Sequence, residues 1–217
     1  MPDSSAPDRD GPDSSAPDRN EPRDDTTGGS APVRPADPRQ AALQQTVREL
    51  ERHVASGGWD GPVRLFALIR TAGAIDRDPA LAERLPADVV REARLDTEHL
   101  TAVEQEGLPE AENLEHLLGQ IRWPDTVDGA AVVVERIVVP PEAEAGLPDD
   151  PDAAQAALLA DHRRRDLRLV AGVLRNGVQA CAIRSRDHDS DDRVAVGPDL
   201  VPNLVTALAT TLDPSGA

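Results

Sequence analysis

The sequence predicts an α+β fold. It expects one domain with an antiparallel or mixed sheet of about five strands, covered by helices and preceded by a disordered tail. Three observations predict it. Apolar residues recur at helical spacing near both ends, at Leu43, Val47, Leu50 and Val54 and again at Val201, Val205, Leu208 and Leu212. Ala130 to Val139 is a continuous β-branched run. Asn176-Gly177 separates two apolar segments, Leu167–Arg175 and Val178–Arg186, which is the signature of a tight antiparallel hairpin.

The first 37 residues are expected to be a disordered acidic tail. They are Pro, Asp, Ser, Gly and Arg with almost no apolar side chain, and residues 12–19 repeat residues 2–9 as PDSSAPDR. Such a segment cannot bury enough surface to offset its ordering entropy. The domain is expected over residues 38–213, with a short tail over 214–217.

Asp37-Pro38 marks a helix start, with Asp as N-cap and Pro at the first position, and Gly57-Gly58 ends that helix. Val63 to Ile69 is short and apolar on both faces, which suits an interior strand. Asp78-Pro79 opens a helical stretch that breaks near Pro86 and resumes to Leu95. Glu98 to Glu104 reads as a strand. Glu110 to Ile121 reads as a helix, because Leu114, Leu117, Leu118 and Ile121 share a face. Trp123-Pro124 stops it, and Pro140-Pro141 stops the strand that follows. Asp149 to Ala160 is an Ala-rich helix. A two-residue turn in the hairpin would set Gly172 opposite Cys181 and Val170 opposite Ile183. Both hairpin faces are apolar near the turn, so it belongs inside a sheet. Arg193 to Val196 is a short strand, and Asp199 to Leu212 is the last helix.

Composition excludes several chemistries. All 23 Lys+Arg residues are Arg and there is no Tyr. Without lysine there is no Schiff base and no P-loop lysine. With a single cysteine, Cys181, no intrachain disulfide forms. The net charge of −17 repels phosphates and anionic lipid, so nucleic acid and membrane are poor partners. No apolar run approaches the ~18 residues of a membrane span, and no apolar signal-peptide region is seen at the N-terminus. A lone thiol fits a reducing, cytoplasmic setting.

The most tempting site is the acidic loop Asp187-His188-Asp189-Ser190-Asp191-Asp192. Its Asp at 187, 189 and 191 copies the first three ligand positions of a calcium loop. The copy then fails, with Asp192 where Gly is needed and Pro198 where a bidentate Glu is needed. The candidate metal ligands are Asp187, His188, Asp189 and Asp191, set against the plainer reading of a solvated loop. Glu104, Gln105 and Glu106 precede a Gly-Leu-Pro turn, and paired carboxylates suit acid–base work, although no second half of a site is visible. His53, His99, His116 and His162 are scattered at no metal spacing. Trp59 and Trp123 each flank a turn, as core plugs or as interface anchors. His162-Arg163-Arg164-Arg165 is the only basic cluster.

Five segments, GGWDGPVRLFALIRTA, HLTAVEQEGLP, IRWPDTVDGAAVVVERIVVPP, LRLVAGVLRNGVQACAIRSRDHDSDD and GPDLVPNLV, together resemble a family of uncharacterised cytoplasmic proteins from GC-rich Gram-positive bacteria. The resemblance covers Asp37 to Leu212 and implies a single α+β domain, with no catalytic residue or cofactor to carry over. The order of elements is also similar to the small α+β scaffold of bacterial secretion chaperones, a likeness of fold only. The expected function is therefore a non-enzymatic protein-binding or adaptor domain without cofactor. Its partner is an unidentified protein or a second copy, and Trp59, Trp123, Glu104 and Glu106 are the candidate contacts. The alternative is a metal-assisted hydrolase or small-ligand protein built on loop 187–192.

Overall fold

The computed structural model describes residues 37–213. The expectations for the two tails fall outside those residues. The domain is α+β, as expected, but its sheet has six strands in the order β2-β1-β3-β4-β5-β6, every neighbour antiparallel. The strands are β1 (Arg64–Arg70), β2 (Leu100–Glu104), β3 (Gly129–Val138), β4 (Arg165–Leu174), β5 (Gln179–Ser185) and β6 (Ala195–Gly197).

Helix α1 (Pro38–Ala55) begins where the sequence places it. The Asp37 carboxylate accepts from the Arg39 amide and Pro38 occupies the first turn. Its stripe of Leu43, Val47 and Leu50 packs on Phe66, Leu68, Leu100, Ala131, Val133, Val170, Ala180 and Ala182. The opposite sheet face presents Leu65, Ala130, Val132, Val134, Ala171, Val173 and Cys181. It is covered by α5 (Leu114–Gln120) and α8 (Pro202–Thr210). The period-2 alternation of a strand explains why a continuous apolar run such as Ala130 to Val134 serves both cores.

Three details differ from the sequence reading. First, the hairpin loop has three residues, not two. Gly177 adopts φ +84°, its amide donates to Leu174 O, and the Leu174 amide donates to Val178 O. A type I turn followed by a left-handed glycine produces this arrangement. The register therefore slips by one, and Ala171 faces Cys181 while Gly172 faces Ala180 and Val170 faces Ala182. Second, α2 (Thr71–Arg77) follows β1 without a loop, so no turn signal announced it. Third, α5 starts only at Leu114, because the Asn113 side chain caps it by accepting from the His116 amide. The stretch expected to open at Asp78-Pro79 breaks at Pro86 and resumes to Leu95 as expected, forming α3 (Leu81–Arg84) and α4 (Ala87–Leu95). The long β3–β4 connection carries α6 (Pro141–Glu144) and α7 (Pro151–Ala160).

Gly172 is required by the packing of α1 on the sheet. A Cβ on Gly172 would lie 2.9 Å from Val47 Cγ1, so glycine lets α1 sit down on β4. No described helix is long and apolar enough to cross a membrane.

Candidate functional site

Beyond the C-terminal end of α1, the sheet face turns from apolar to charged. The register aligns Glu135 of β3, Arg168 of β4 and Arg184 of β5 side by side across three strands. Two arginines as direct cross-strand neighbours repel unless a carboxylate sits between them. Glu51, on the buried side of α1, supplies it. Its carboxylate accepts from Arg184 Nε at 2.6 Å and Nη2 at 2.7 Å, and from Arg168 Nη1 at 3.5 Å. Arg168 also donates to Glu135 Oε1 at 3.1 and 2.9 Å and to the Gly58 carbonyl. Arg168, Arg184 and Glu51 are 0%, 3% and 1% exposed. Burial at this level is tolerated only because every charge is paired. The Glu51 pair holds the Arg184 guanidinium above its ordinary range.

This hub fixes two loops. Asp189 and Asp191 both accept from Arg184, at 3.1 and 2.6 Å, and Asp191 also meets Arg52 at 3.3 Å. Trp59 Nε1 donates to Asp189 at 2.8 Å. Two guanidinium groups lie over the Trp59 ring, Arg168 at 4.4 Å and Arg186 at 5.5 Å from its centroid, both within cation–π range. Arg186 in turn holds Asp60 through two contacts of 2.9 Å. Asp60 has φ +66°, and its amide donates to Glu135 at 2.6 Å, so the GGWDG turn is held from both sides. The hydrogen bond from Trp59 holds the Asp189 carboxyl below its usual range, and the one from Arg184 does the same for Asp191.

The structure thus brings Trp59, Asp189 and Asp191 together, and gives their polar atoms partners within the chain. Asp187 and His188 lie outside this hub on an exposed turn. Among the described residues, no group of three or more His, Cys, Asp or Glu side chains is placed to hold a metal ion. Trp123 stands on the other side of the sheet. It packs on the α5 and α8 core and donates to Thr211 Oγ1 at 2.9 Å.

Glu104 and Glu106 line a cleft of about 560 Å³ beside the hub, with Gly57, Gly61, Arg64 and Glu135. Val63, Leu108 and Val134 supply its apolar lining. Arg64 grips Glu104 through two contacts of 2.6 Å, which lowers the affinity of that carboxylate for a proton. The cleft opens next to β2, an edge strand. β2 pairs with β1 in the register Ala67↔Val103, and Gln105 N donates to Leu65 O while Thr71 N donates to His99 O. In an antiparallel ladder inward and outward groups alternate. The amides and carbonyls of Leu100, Ala102 and Glu104 therefore face away from β1, along an edge with no further strand among the described residues.

Near that edge, His99 Nδ1 lies 2.9 Å from Thr71 Oγ1, and His99 Nε2 lies 3.4 Å from Glu92. The order hydroxyl, imidazole, carboxylate imitates a nucleophilic triad. Thr71 is buried, however, and its oxygen also meets Thr101 Oγ1 at 2.7 Å, so the hydroxyl is enclosed from substrate. Cys181 is buried as well, and burial pushes its thiol pKa up, away from a reactive thiolate.

Sequence reading missed Glu51, Arg168, Arg184 and Glu135. The available signal was a charge on the inward face of otherwise apolar strands, in LRLVAG, CAIRS and VVVERIVV. A family model described as PPA1309-like protein matches residues 43–213, a span that contains all five segments of the resemblance. No curated protein and no solved structure matches the chain.

Proposed function

The chain belongs to the PPA1309-like family, and we propose that the domain is a non-enzymatic protein-binding module that takes an extended segment of another protein onto the open edge of β2. The observation that carries this reading is that edge. Ala102 and Glu104 turn outward amides and carbonyls that have no backbone partner among the described residues, as a strand-accepting surface requires. The adjoining cleft has room for side chains of the added strand. Glu106 borders the edge with no ion pair among the described residues, while Arg39, Arg70 and Arg64 already hold Glu98 and Glu104, so Glu106 is the carboxylate that favours a segment bearing basic side chains. A net charge of −17 strengthens that choice.

Catalysis is less well served. Asp189, Asp191 and Glu104 are held ionised by arginine or tryptophan contacts, which makes them poor general bases. The same arginine pairs compete with any cation at loop 187–192, so the metal-assisted reading is the weaker one. A reducing cytoplasmic setting suits the free Cys181 thiol.

Ala102→Pro tests the proposal. It removes an outward amide without breaking the β1 ladder, because proline is tolerated on an edge strand whose amide faces solvent. Wild type and variant, both shown folded by circular dichroism, would be used to capture proteins from the native host. A partner held by wild type and lost by Ala102→Pro supports the edge. The same partner held equally by both refutes it.

A further inference from the structure

The β3–β4 connection holds a helix that fully buries no residue and half-buries only Ala154 and Leu158. In α7, all residues but Asp152 and Gln155 are apolar, yet none is buried, and Leu159 is 47% exposed. A helix that is apolar all round is normally enclosed. One of ten residues falls short of the ~12–15 that are marginal in isolation. Its own caps contribute, since the Asp150 carboxylate accepts from the Ala153 amide at 2.9 Å and Pro151 opens the first turn. Those caps leave the apolar surface in water.

The flanking charges identify what covers it. Asp149, Asp150 and Asp152 lie at the N-terminal end, and His162, Arg163, Arg164 and Arg165 follow the C-terminal end. About 15 Å of helix separates the two groups within one chain. Asp149, Asp152 and Arg165 have no ion pair among the described residues, and the His162 side chain is 91% exposed. Asp161 holds Arg163 at 2.8 Å, and Asp166 meets Arg164 at 3.5 Å. A helix acidic at one end and basic at the other is complementary to itself when run antiparallel. A two-fold axis through its middle makes each contact twice, acid on base at both ends. A parallel pairing sets like charges together.

We propose that α7 is a self-association element, through which two copies of this chain pair antiparallel over Leu159 and the exposed alanines of the helix. The surface is separate from the β2 edge. A helix of this length buries less than the ~800 Å² per partner of a standard interface, so the dimer is weak and its population rises with concentration.

Sedimentation velocity of the full chain over a concentration series tests this. Wild type should pass from monomer to dimer. Ala156→Glu with Leu159→Glu should stay monomeric at every concentration with unchanged circular dichroism, because both side chains are exposed in the monomer. Asp149→Arg with Asp152→Arg, and separately Arg163→Asp with Arg165→Asp, should each be monomeric alone and dimerise when mixed, since each then offers the charge the other lacks. A wild type that is monomeric throughout, a dimer that survives the two glutamates, or a mixture that stays monomeric would overturn the proposal.

Discussion

Replacing Glu51 by alanine removes the one carboxylate between two buried guanidinium groups. Breaking a buried pair by deleting one partner costs about 3–5 kcal/mol, because the remaining charge is left uncompensated. The structure places this case at the lower end. Arg184 keeps Asp189 and Asp191, and Arg168 keeps Glu135. The expected loss is therefore about 3 kcal/mol, which for a domain of this size lowers the melting temperature by about 6–12 °C. Urea titration followed by far-UV circular dichroism measures it. A cycle with Arg184→Met should return a coupling energy of about 0.5–3 kcal/mol, since the two groups touch. A loss below about 1 kcal/mol, the value of an exposed pair, would mean that water reaches the hub, and the account of Glu51 as its keystone would fail.

The rest of the fold makes its own predictions. A Cβ on Gly129 would stand 2.5 Å from the Val173 carbonyl, whereas one on Gly172 meets only side chains of α1. Gly129→Ala should therefore destabilise more than Gly172→Ala, itself expected to cost about 1–3 kcal/mol by overpacking, and equal melting temperatures for the two variants would refute the ranking. Asp189 and Asp191 titrate below their ordinary value of 3.8 in the folded chain. Their stabilisation is thus complete above that value and is lost as pH falls through the lowered ones. In a Trp123→Phe background, Trp59 fluorescence should hold steady down to about pH 4 and change below it as loop 186–193 lets go. Steady fluorescence well below pH 3 would separate Trp59 from that loop.

Periodicity made the helices and strands legible, because the sheet buries both faces and α1, α5 and α8 each bury one stripe. The Asp37 cap and the Asn176-Gly177 turn located two boundaries from single residues. The hub was hidden by one residue of register. With a two-residue turn, Arg168 falls opposite Ser185, whereas the left-handed Gly177 adds a loop residue and sets Arg168 opposite Arg184. A slip of one flips side chains to the other face, so no local pattern could have paired these arginines with Glu51, which lies 117 residues from Arg168 along the chain. The acidic loop was visible as charge, but its partners came from α1 and β5. Trp59 and Trp123 were legible as turn residues, and their separation onto opposite sides of the sheet required the topology.

Hydrogen–deuterium exchange at single-residue resolution tests the central claim most directly, on the domain alone and with the partner that wild type captures. Strand addition protects every second amide. The account predicts that Ala102 and Glu104 exchange freely in the isolated domain and become protected in the complex, while Thr101 and Val103, already bonded to β1, change little. Protection that arises elsewhere, with Ala102 and Glu104 still exchanging freely in the complex, would contradict it.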